Sequence, residues 1–391
     1  MASMMHLPTF LKVFYTYQFL HDFILIYAVD KLFFVQNGIS LTQVATLLSI
    51  WAAASFLLEI PTGVLADKWN RRSMLILGSL FYAVCYSIWL LYPTFEWFLI
   101  GFIFRSLAST FSSGTLQAYT YDFLTIHKRQ DLFEQIWGRG RAFNLAGLAL
   151  GWVFGGIVSE YSYWWVLVLS AGAGVATTIA AFFFPNIQKQ VPLNEPNPFH
   201  FLREGLAYAF THRVILNVFL YTAIVRSSYA VIDEYWPILF QQYGMPNTVL
   251  GISVAVASLC GGFAGTNAHR FKKQPWNILN QATLYMSVVL IATAFVKSAF
   301  IIIFLLTFEV VLGVTSVLAE GVIQRNVAQH QRATMASVNA MFVEVAIVTG
   351  LMFGFISDKV GIQYGYGFFG IFILMYLVAQ YFVNPRKLIS A

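Results

Sequence analysis

Residues 63–72 read GVLADKWNRR, and they close a long apolar run on four charged side chains, Asp67, Lys68, Arg71 and Arg72. Charge gathered at the end of such a run marks where a helix leaves hydrocarbon for water, and basic residues there mark the cytoplasmic side. The remainder of the chain supports this reading. Of its 391 residues, 59% are hydrophobic and only 10% charged, and the mean hydropathy is +0.69. A water-soluble domain carries about 25% charged residues, so the solvent for most of this surface is lipid. About twelve apolar stretches follow one another, each long enough to cross a hydrocarbon core of about 30 Å as a helix that satisfies its own backbone.

The expected spans are 9–36, 40–66, 73–93, 96–124, 133–157 and 162–185, then 214–241, 247–268, 275–297, 298–323, 333–357 and 361–384. The first is too long for a signal-peptide core and reads as a retained helix. Cys85 and Cys260 both fall inside spans, which argues against a structural disulfide. With the N-terminus in the cytoplasm, the inner connections collect Lys68, Arg71, Arg72, Arg139, Arg141, Arg213, Arg270, Lys272 and Lys273, while the outer ones hold little beyond Lys31, Lys297 and Lys359. This asymmetry puts both termini in the cytoplasm. It also accounts for the net charge of +6 by topology, so nucleic acid is excluded as a partner.

The longest polar segment, 186–213, contains Pro192, Pro196 and Pro198 and then Phe199, Phe201, Leu202, Leu206 and Phe210 at roughly helical spacing. It reads as a linker with a short amphipathic helix on the inner membrane face. The plan is therefore an N-terminal six-helix bundle (1–185), a cytoplasmic linker (186–213) and a C-terminal six-helix bundle (214–391). A repeat supports it. Gly265, His269, Arg270, Lys272 and Lys273 follow span eight as Gly63, Asp67, Lys68, Arg71 and Arg72 follow span two, and internal repeats of this size are typical of secondary transporters.

Residues 63–72 fill the pattern G-x-x-x-D-[RK]-x-[GN]-[RK]-[RK], with Asn70 where glycine is usual. In span five, Gly138, Gly147, Gly151, Gly155 and Gly156 occupy every glycine of g-(x)8-G-(x)3-G-P-(x)2-G-G, and Trp152 replaces the proline. On these residues the chain resembles the major facilitator superfamily, in particular its twelve-helix drug-proton antiporter branch. Arg105 matches the first residue of the branch's R-x-x-Q-G, although Ala108 and Ser109 depart from the rest.

The resemblance implies an all-α membrane protein of twelve helices in two pseudo-symmetric bundles, with helices one, four, seven and ten around a central cavity. It implies that Asp67 caps the start of helix eleven as part of a cytoplasmic gate, with Asp122 partnering the nearby arginines. It assigns the span-five glycines to antiport, whereas small residues at four-residue spacing also serve plain helix packing. Asn70 is expected in a left-handed turn, where asparagine best replaces glycine.

Ionisable groups at bilayer depth cost at least about 2.5 to 3.5 kcal/mol and are functional candidates by default. They are Asp22 and Asp30 in span one, Glu59 in span two, Arg105 in span four, Arg226, Asp233 and Glu234 in span seven, Glu309 in span ten and Glu344 in span eleven. Asp22, beside His21 near mid-span, is the first candidate for binding a cation or proton. Asp30 and Lys31 are expected to end the span at the outer surface, Asp30 lying about 80° round one continuous helix from Asp22. Arg226 and Asp233, two turns apart, face the same side. Glu309 has no local counter-charge and is the second proton candidate. Glu59 is expected to reach a partner across the halves.

This acidic excess favours protons or cations over anions. No H-E-x-x-H, G-x-S-x-G or phosphate loop occurs at a plausible position, so neither an enzyme nor a metal site is expected. The expectation is a monomeric secondary transporter of the cell membrane, exporting a small lipophilic or cationic compound in exchange for protons. The proton gradient is its energy source and it needs no cofactor. The alternative is an uptake symporter or facilitator for a nutrient or siderophore-like metabolite.

Overall fold

The computed structural model describes residues 5–187, 207–298, 300–327 and 346–383, together with Met335, Val338, Asn339, Phe342 and Val343. The described residues are predominantly helical and contain no strand. In the first part of the chain the helices are α1 (Leu7–Asp22), α2 (Asp30–Gln36), α3 (Leu41–Lys68), α4 (Arg71–Leu91), α5 (Phe95–Ser112), α6 (Thr115–Ile126), α7 (Phe133–Ser159) and α8 (Tyr163–Phe182). They continue as α9 (Arg213–Tyr221), α10 (Ser227–Ile232), α11 (Trp236–Gln242), α12 (Asn247–Thr266), α13 (Pro275–Thr293), α14 (Phe300–Asn326), α15 (Ala346–Val360) and α16 (Ile362–Val383). Among the described residues, eight helical segments are long and apolar enough to cross a membrane.

The chain divides into two compact units. One comprises Met1–Ile39, Ile50–Leu193 and Pro246–Ala255, the other Ser40–Ser49, Asn194–Met245 and Val256–Ala391. Each half of the sequence therefore lends the first turns of one helix, α3 or α12, to the other unit. Most of the linker lies outside the described residues; 207–211 are helical.

In the first unit, Phe10, Phe14, Tyr17, Tyr119, Phe123 and Phe184 form the centre of an aromatic core, all at or below 1% exposure. The rings of Phe10 and Phe123 stack with centroids 3.8 Å apart. This cluster anchors the N-terminal half of α1.

Span one is not the single helix expected from its apolar length. α1 stops at Asp22, Ile24 is extended (φ −115°, ψ 110°), Leu25–Ala28 form one 3-10 turn and α2 begins at Asp30. The stretch 19–29 contains neither glycine nor proline, so local propensity does not produce the break. Its cause is the neighbouring helix. A Cβ built on Gly147 of α7 would meet Phe19 O at 2.1 Å, and one on Gly155 would meet Leu25 O at 2.0 Å. Gly151 faces the Ile24 backbone at 3.0 Å.

The unwound backbone thus lies directly on a glycine stripe, where carbonyls can meet Cα–H groups. One amide freed by the break is recovered from α8: Ile26 N–H donates to Ser170 Oγ at 3.0 Å, and Ser170 is fully buried. Leaving a buried amide without that acceptor costs about 1 to 3 kcal/mol. Ser170→Ala is accordingly expected to lower stability by this amount, read as a fall in the thermal midpoint of the purified protein, whereas Ser170→Thr retains the acceptor.

Spans four and seven are also interrupted. α5 ends at Ser112, Gly114 takes φ +66°, and α6 starts at Thr115. In span seven a π turn at Thr222–Arg226 and a 3-10 turn at Asp233–Tyr235 flank α10. Pro237 explains the second, since it lacks an N–H and its ring clashes with the carbonyl four residues back, that of Asp233.

Candidate functional site

Two of these interruptions meet in the first unit at a cavity of about 250 Å³. Tyr17, Gln18, His21 and Asp22 enter it from α1, Tyr82 from α4, Ser109 and Ser112 from α5, Ser113 and Gly114 from the break, Leu116 and Gln117 from α6, and Trp137, Arg141 and Asn144 from α7. Discontinuous helices place polar backbone ends at such sites in transporters.

Asp22 sits at the last position of α1. Its Oδ2 accepts a close hydrogen bond from Asn144 Nδ2 and faces His21 Nδ1 at 3.4 Å. The Tyr17 hydroxyl accepts from Ser79 Oγ at 3.3 Å. His21 Nε2 and Ser112 Oγ are buried atoms with no hydrogen-bond partner among the described residues. The cavity therefore offers one carboxylate, one guanidinium, three side-chain amides, two unused polar atoms and the rings of Tyr82 and Trp137. Groups of this kind can engage a solute by charge and hydrogen bonding.

Asp30 and Lys31 do not end a span at the surface. They are 1% and 4% exposed, Lys31 Nζ lies 3.0 Å from the Asp30 carboxylate, and Arg105 Nη1 lies 3.9 Å from it. The Arg105 guanidinium stacks over Tyr27 at 4.8 Å and Trp51 at 4.9 Å. The break after Asp22 removes the continuous-helix geometry behind the 80° relation, and the adjacent charges that were read as a span end are instead buried against each other and Arg105. Arg105 consequently pairs with Asp30.

In the second unit, Glu309 Oε1 accepts a hydrogen bond from the Tyr229 hydroxyl at 2.7 Å. Tyr229 packs edge-on against Trp236 at 5.9 Å. The Glu309 backbone is held against α12, where a Cβ on Gly261 would meet Glu309 O at 2.5 Å. Arg226 closes the π turn, Asp233 opens the 3-10 turn, and Asp233 and Glu234 are both half-buried.

Other sequence candidates fall elsewhere. Glu59 is exposed on α3, and Glu344 lies outside the described residues. The acidic excess is thus dispersed, and the first unit's cavity itself contains one acid and one base.

In the 63–72 stretch, Gly63, Asp67 and Lys68 belong to the closing turns of α3, and their side chains lie outside the described residues, as does the expected start of span eleven. Arg71 forms a close ion pair with Asp122. Arg72 Nη2 donates to Phe182 O at 2.5 Å at the end of α8, satisfying a terminal carbonyl. Asn70 is not left-handed. It has φ −70° and ψ 124°, and its side chain accepts from Arg72 N–H at 2.8 Å, making it the N-cap of α4. Capping, for which asparagine is a preferred residue, accounts for its presence.

The span-five glycines divide by role. Gly147, Gly151 and Gly155 receive the broken span one, Gly156 faces Asn247 O of α12 at a Cβ distance of 2.4 Å, and Gly138 has nothing within 4 Å. α7 runs uninterrupted past Trp152. Gln18, Tyr82, Ser112, Gln117, Trp137 and Asn144 were absent from the sequence candidates. The signal for four of them was polar side chains at helix depth, which a search confined to charges passes over.

The Major Facilitator Superfamily profile matches residues 13–351. YfkF of Bacillus subtilis, an uncharacterized MFS-type transporter, is 34% identical over 94 residues, a stretch covering 23% of this chain and 23% of that protein. A variant of the nucleoside transporter NupG superposes with a TM-score of 0.80 at 13% identity, covering 98% of this chain and 100% of that one. A bacterial homologue of the human lysosomal transporter Spinster gives 0.72 at 16% identity, covering 97% and 96%. Identities this low carry the fold alone. The helical architecture and a profile match over nearly the whole length lead to one assignment: the chain belongs to the Major Facilitator Superfamily and is a multi-pass, non-enzymatic membrane transporter.

Proposed function

We propose that the protein is a monomeric, proton-coupled secondary transporter of the cell membrane, with both termini cytoplasmic, exporting a small polar compound that carries a cationic group. The observation that carries this reading is Asp22, a carboxylate oriented by Asn144 and His21 on the wall of a cavity whose other groups are mostly hydrogen-bonding and include the Arg141 guanidinium. Ligand pockets for drug-sized molecules run from about 300 to 1,000 Å³. At about 250 Å³ this cavity favours a smaller solute, and its polar lining favours the cationic over the lipophilic class.

Exchange follows from competition. A carboxylate that binds a cation when ionised loses that attraction when protonated, so a proton arriving at Asp22 displaces the substrate. Glu309 with Tyr229 supplies a second protonatable position, in the other unit. The two domains expose the site alternately to each side, and each ligand shifts the balance by its preference for one state.

Uptake by symport or facilitation, for a nutrient or a siderophore-like metabolite, is the second reading. One observation favours it: packing against span one accounts for Gly147, Gly151 and Gly155, which weakens the glycine set as evidence for export. The cavity volume makes a small nutrient the better match. Counterflow in proteoliposomes, with and without a pH gradient, tests both. Export by exchange predicts substrate movement against an opposed proton gradient, and accumulation in the same direction as protons assigns uptake. Candidate solutes are chosen by thermal stabilisation of the purified protein, since a ligand of the folded state raises apparent stability; cationic amines are expected to stabilise it and their neutral analogues are not.

A further inference from the structure

The cavity of the first unit holds two charges of opposite sign, and the register of α1 against α7 sets how they stand to each other. A Cβ on Gly140 of α7 would meet the Gln18 side-chain nitrogen at 3.1 Å, and four residues further along both helices Asn144 hydrogen-bonds Asp22. The two helices therefore run in step over this turn. Arg141 precedes Asn144 by three residues, which keeps both on one face of α7 and sets them about 4.5 Å apart along its axis. Arg141 thus lines the cavity from a position one turn nearer the start of α7 than the residue that holds Asp22. By sequence it counts only as one of the basic residues of the inner face. In the structure it takes part in no ion pair among the described residues, and it is exposed, so its charge is available to a solute.

The backbone distributes polarity in the same sense. α6 starts at Thr115 with no side chain capping it. Thr115 N–H donates to Ser113 O at 2.7 Å and Ala118 N–H to Gly114 O at 2.9 Å, whereas Leu116 and Gln117, both on the cavity wall, make no such backbone bond among the described residues. Amides at a helix start favour an anion, and the last turn of a helix favours a cation. Asp22 closes the last turn of α1, so the same cavity joins an anionic helix end to a cationic one.

We propose that the solute is a small zwitterion, its ammonium held by Asp22 and its carboxylate by Arg141 with the start of α6, as in an amino acid on a short carbon chain. This rests on the reading of Asp22 as the group that binds the cation. A solute with a cation alone leaves Arg141 as a like charge in the same cavity, and one with an anion alone meets Asp22 in that position. A zwitterion pairs both. The arrangement also strengthens exchange, because a proton that neutralises Asp22 leaves the ammonium facing Arg141, and their repulsion assists release.

The test reads apparent affinity from thermal stabilisation of the full-length protein against ligand concentration. The probes are glycine, β-alanine, 4-aminobutanoate and 6-aminohexanoate, each beside the alkylamine left when its carboxylate is replaced by hydrogen. At least one of the four is expected to bind about tenfold more tightly than its amine, the worth of a hydrogen bond between charged groups. Arg141→Gln is expected to erase that preference from both sides: the amino acid weakens about tenfold and the amine tightens, since a like charge has gone. Arg141→Lys, which keeps the charge and loses the planar fork, is expected to restore the preference in part. Amines that bind as tightly as their amino acids throughout overturn the zwitterion and leave Asp22 as the partner of a cation. Binding of neither class overturns it together with that reading. A variant Arg141→Gln that weakens both classes alike rejects Arg141 as the partner of the carboxylate, and the comparison on the unaltered protein decides where that variant does not fold.

Discussion

An Asp22→Asn, Glu309→Gln double variant is expected to fold and to lose pH-driven transport, with each substitution contributing differently. Asp22→Asn preserves shape and the contact with Asn144 while removing the cavity's carboxylate. Truncating one partner of a buried, hydrogen-bonded charge pair costs about 2 to 5 kcal/mol. The affinity for a cationic solute should therefore fall by roughly a hundredfold, which corresponds to about 2.7 kcal/mol. Glu309→Gln leaves that cavity intact, since Glu309 lies in the other unit on Tyr229. It should retain binding and lose the response to a pH gradient. The measurement is thermal stabilisation for binding and proteoliposome flux for coupling. Normal flux with an unchanged pH dependence in the double variant would remove both carboxylates from the mechanism.

A second large effect is expected from single methyl groups on α7. An alanine at Gly147 or Gly155 puts its Cβ 2.1 Å from Phe19 O or 2.0 Å from Leu25 O, about 1 Å or more inside ordinary C···O contact distance. The atoms met are backbone and cannot swing aside as a side-chain end would. Overpacking of this kind costs about 1 to 3 kcal/mol per site and sometimes more. The double alanine variant is expected to lose about 3 kcal/mol or more, seen as a thermal midpoint lowered by many degrees or as failure to yield folded protein. Gly138→Ala is the control. It has open space at the Cβ position, and replacing a helix-interior glycine there should be neutral or stabilising by about 0.5 to 1 kcal/mol. Equal stability of the Gly147, Gly155 and Gly138 variants would refute the packing role.

The glycine spacing was visible in the sequence, but its physical task was not. Five glycines at fixed intervals fit an antiport signature and a packing stripe equally well, and the choice depends on what lies opposite each one. Opposite Gly147, Gly151 and Gly155 lie the last turn of α1, the extended residue Ile24 and the 3-10 turn that follows it. That break has no sequence mark, since the residues around Asp22 are apolar, large and compatible with a helix. Asn70 illustrates the same limit from the other side. Its identity suits both a left-handed turn and an N-cap, and only its φ of −70° and the bond to Arg72 N–H assign it to the second.

The site was legible to the extent that charge announces itself. Asp22 and Glu309 stand out in apolar runs because an ionised group there is costly, and both meet polar partners in the structure. Neutral polar residues carry no such penalty. Gln18, Ser112, Gln117 and Asn144, which make the first unit's cavity polar, were therefore hidden among residues that serve helix packing equally well. Asp30 was misplaced for a related reason. Two adjacent charges closing an apolar run were read as a span end at the surface, whereas Asp30 is buried beside Lys31 and Arg105.

By itself the sequence determined the solvent, the helical class, the repeat and the superfamily, because hydropathy and charge at span ends act locally and are summed over many residues. Tertiary structure alone decided where span one breaks, which acids keep company with which bases, and which polar groups share a cavity. Each of these depends on a contact between segments far apart in the chain, such as Gly155 on Leu25 or Asp358 on Leu41. At such contacts the fit of one backbone against another outweighs the preferences of the residues in either.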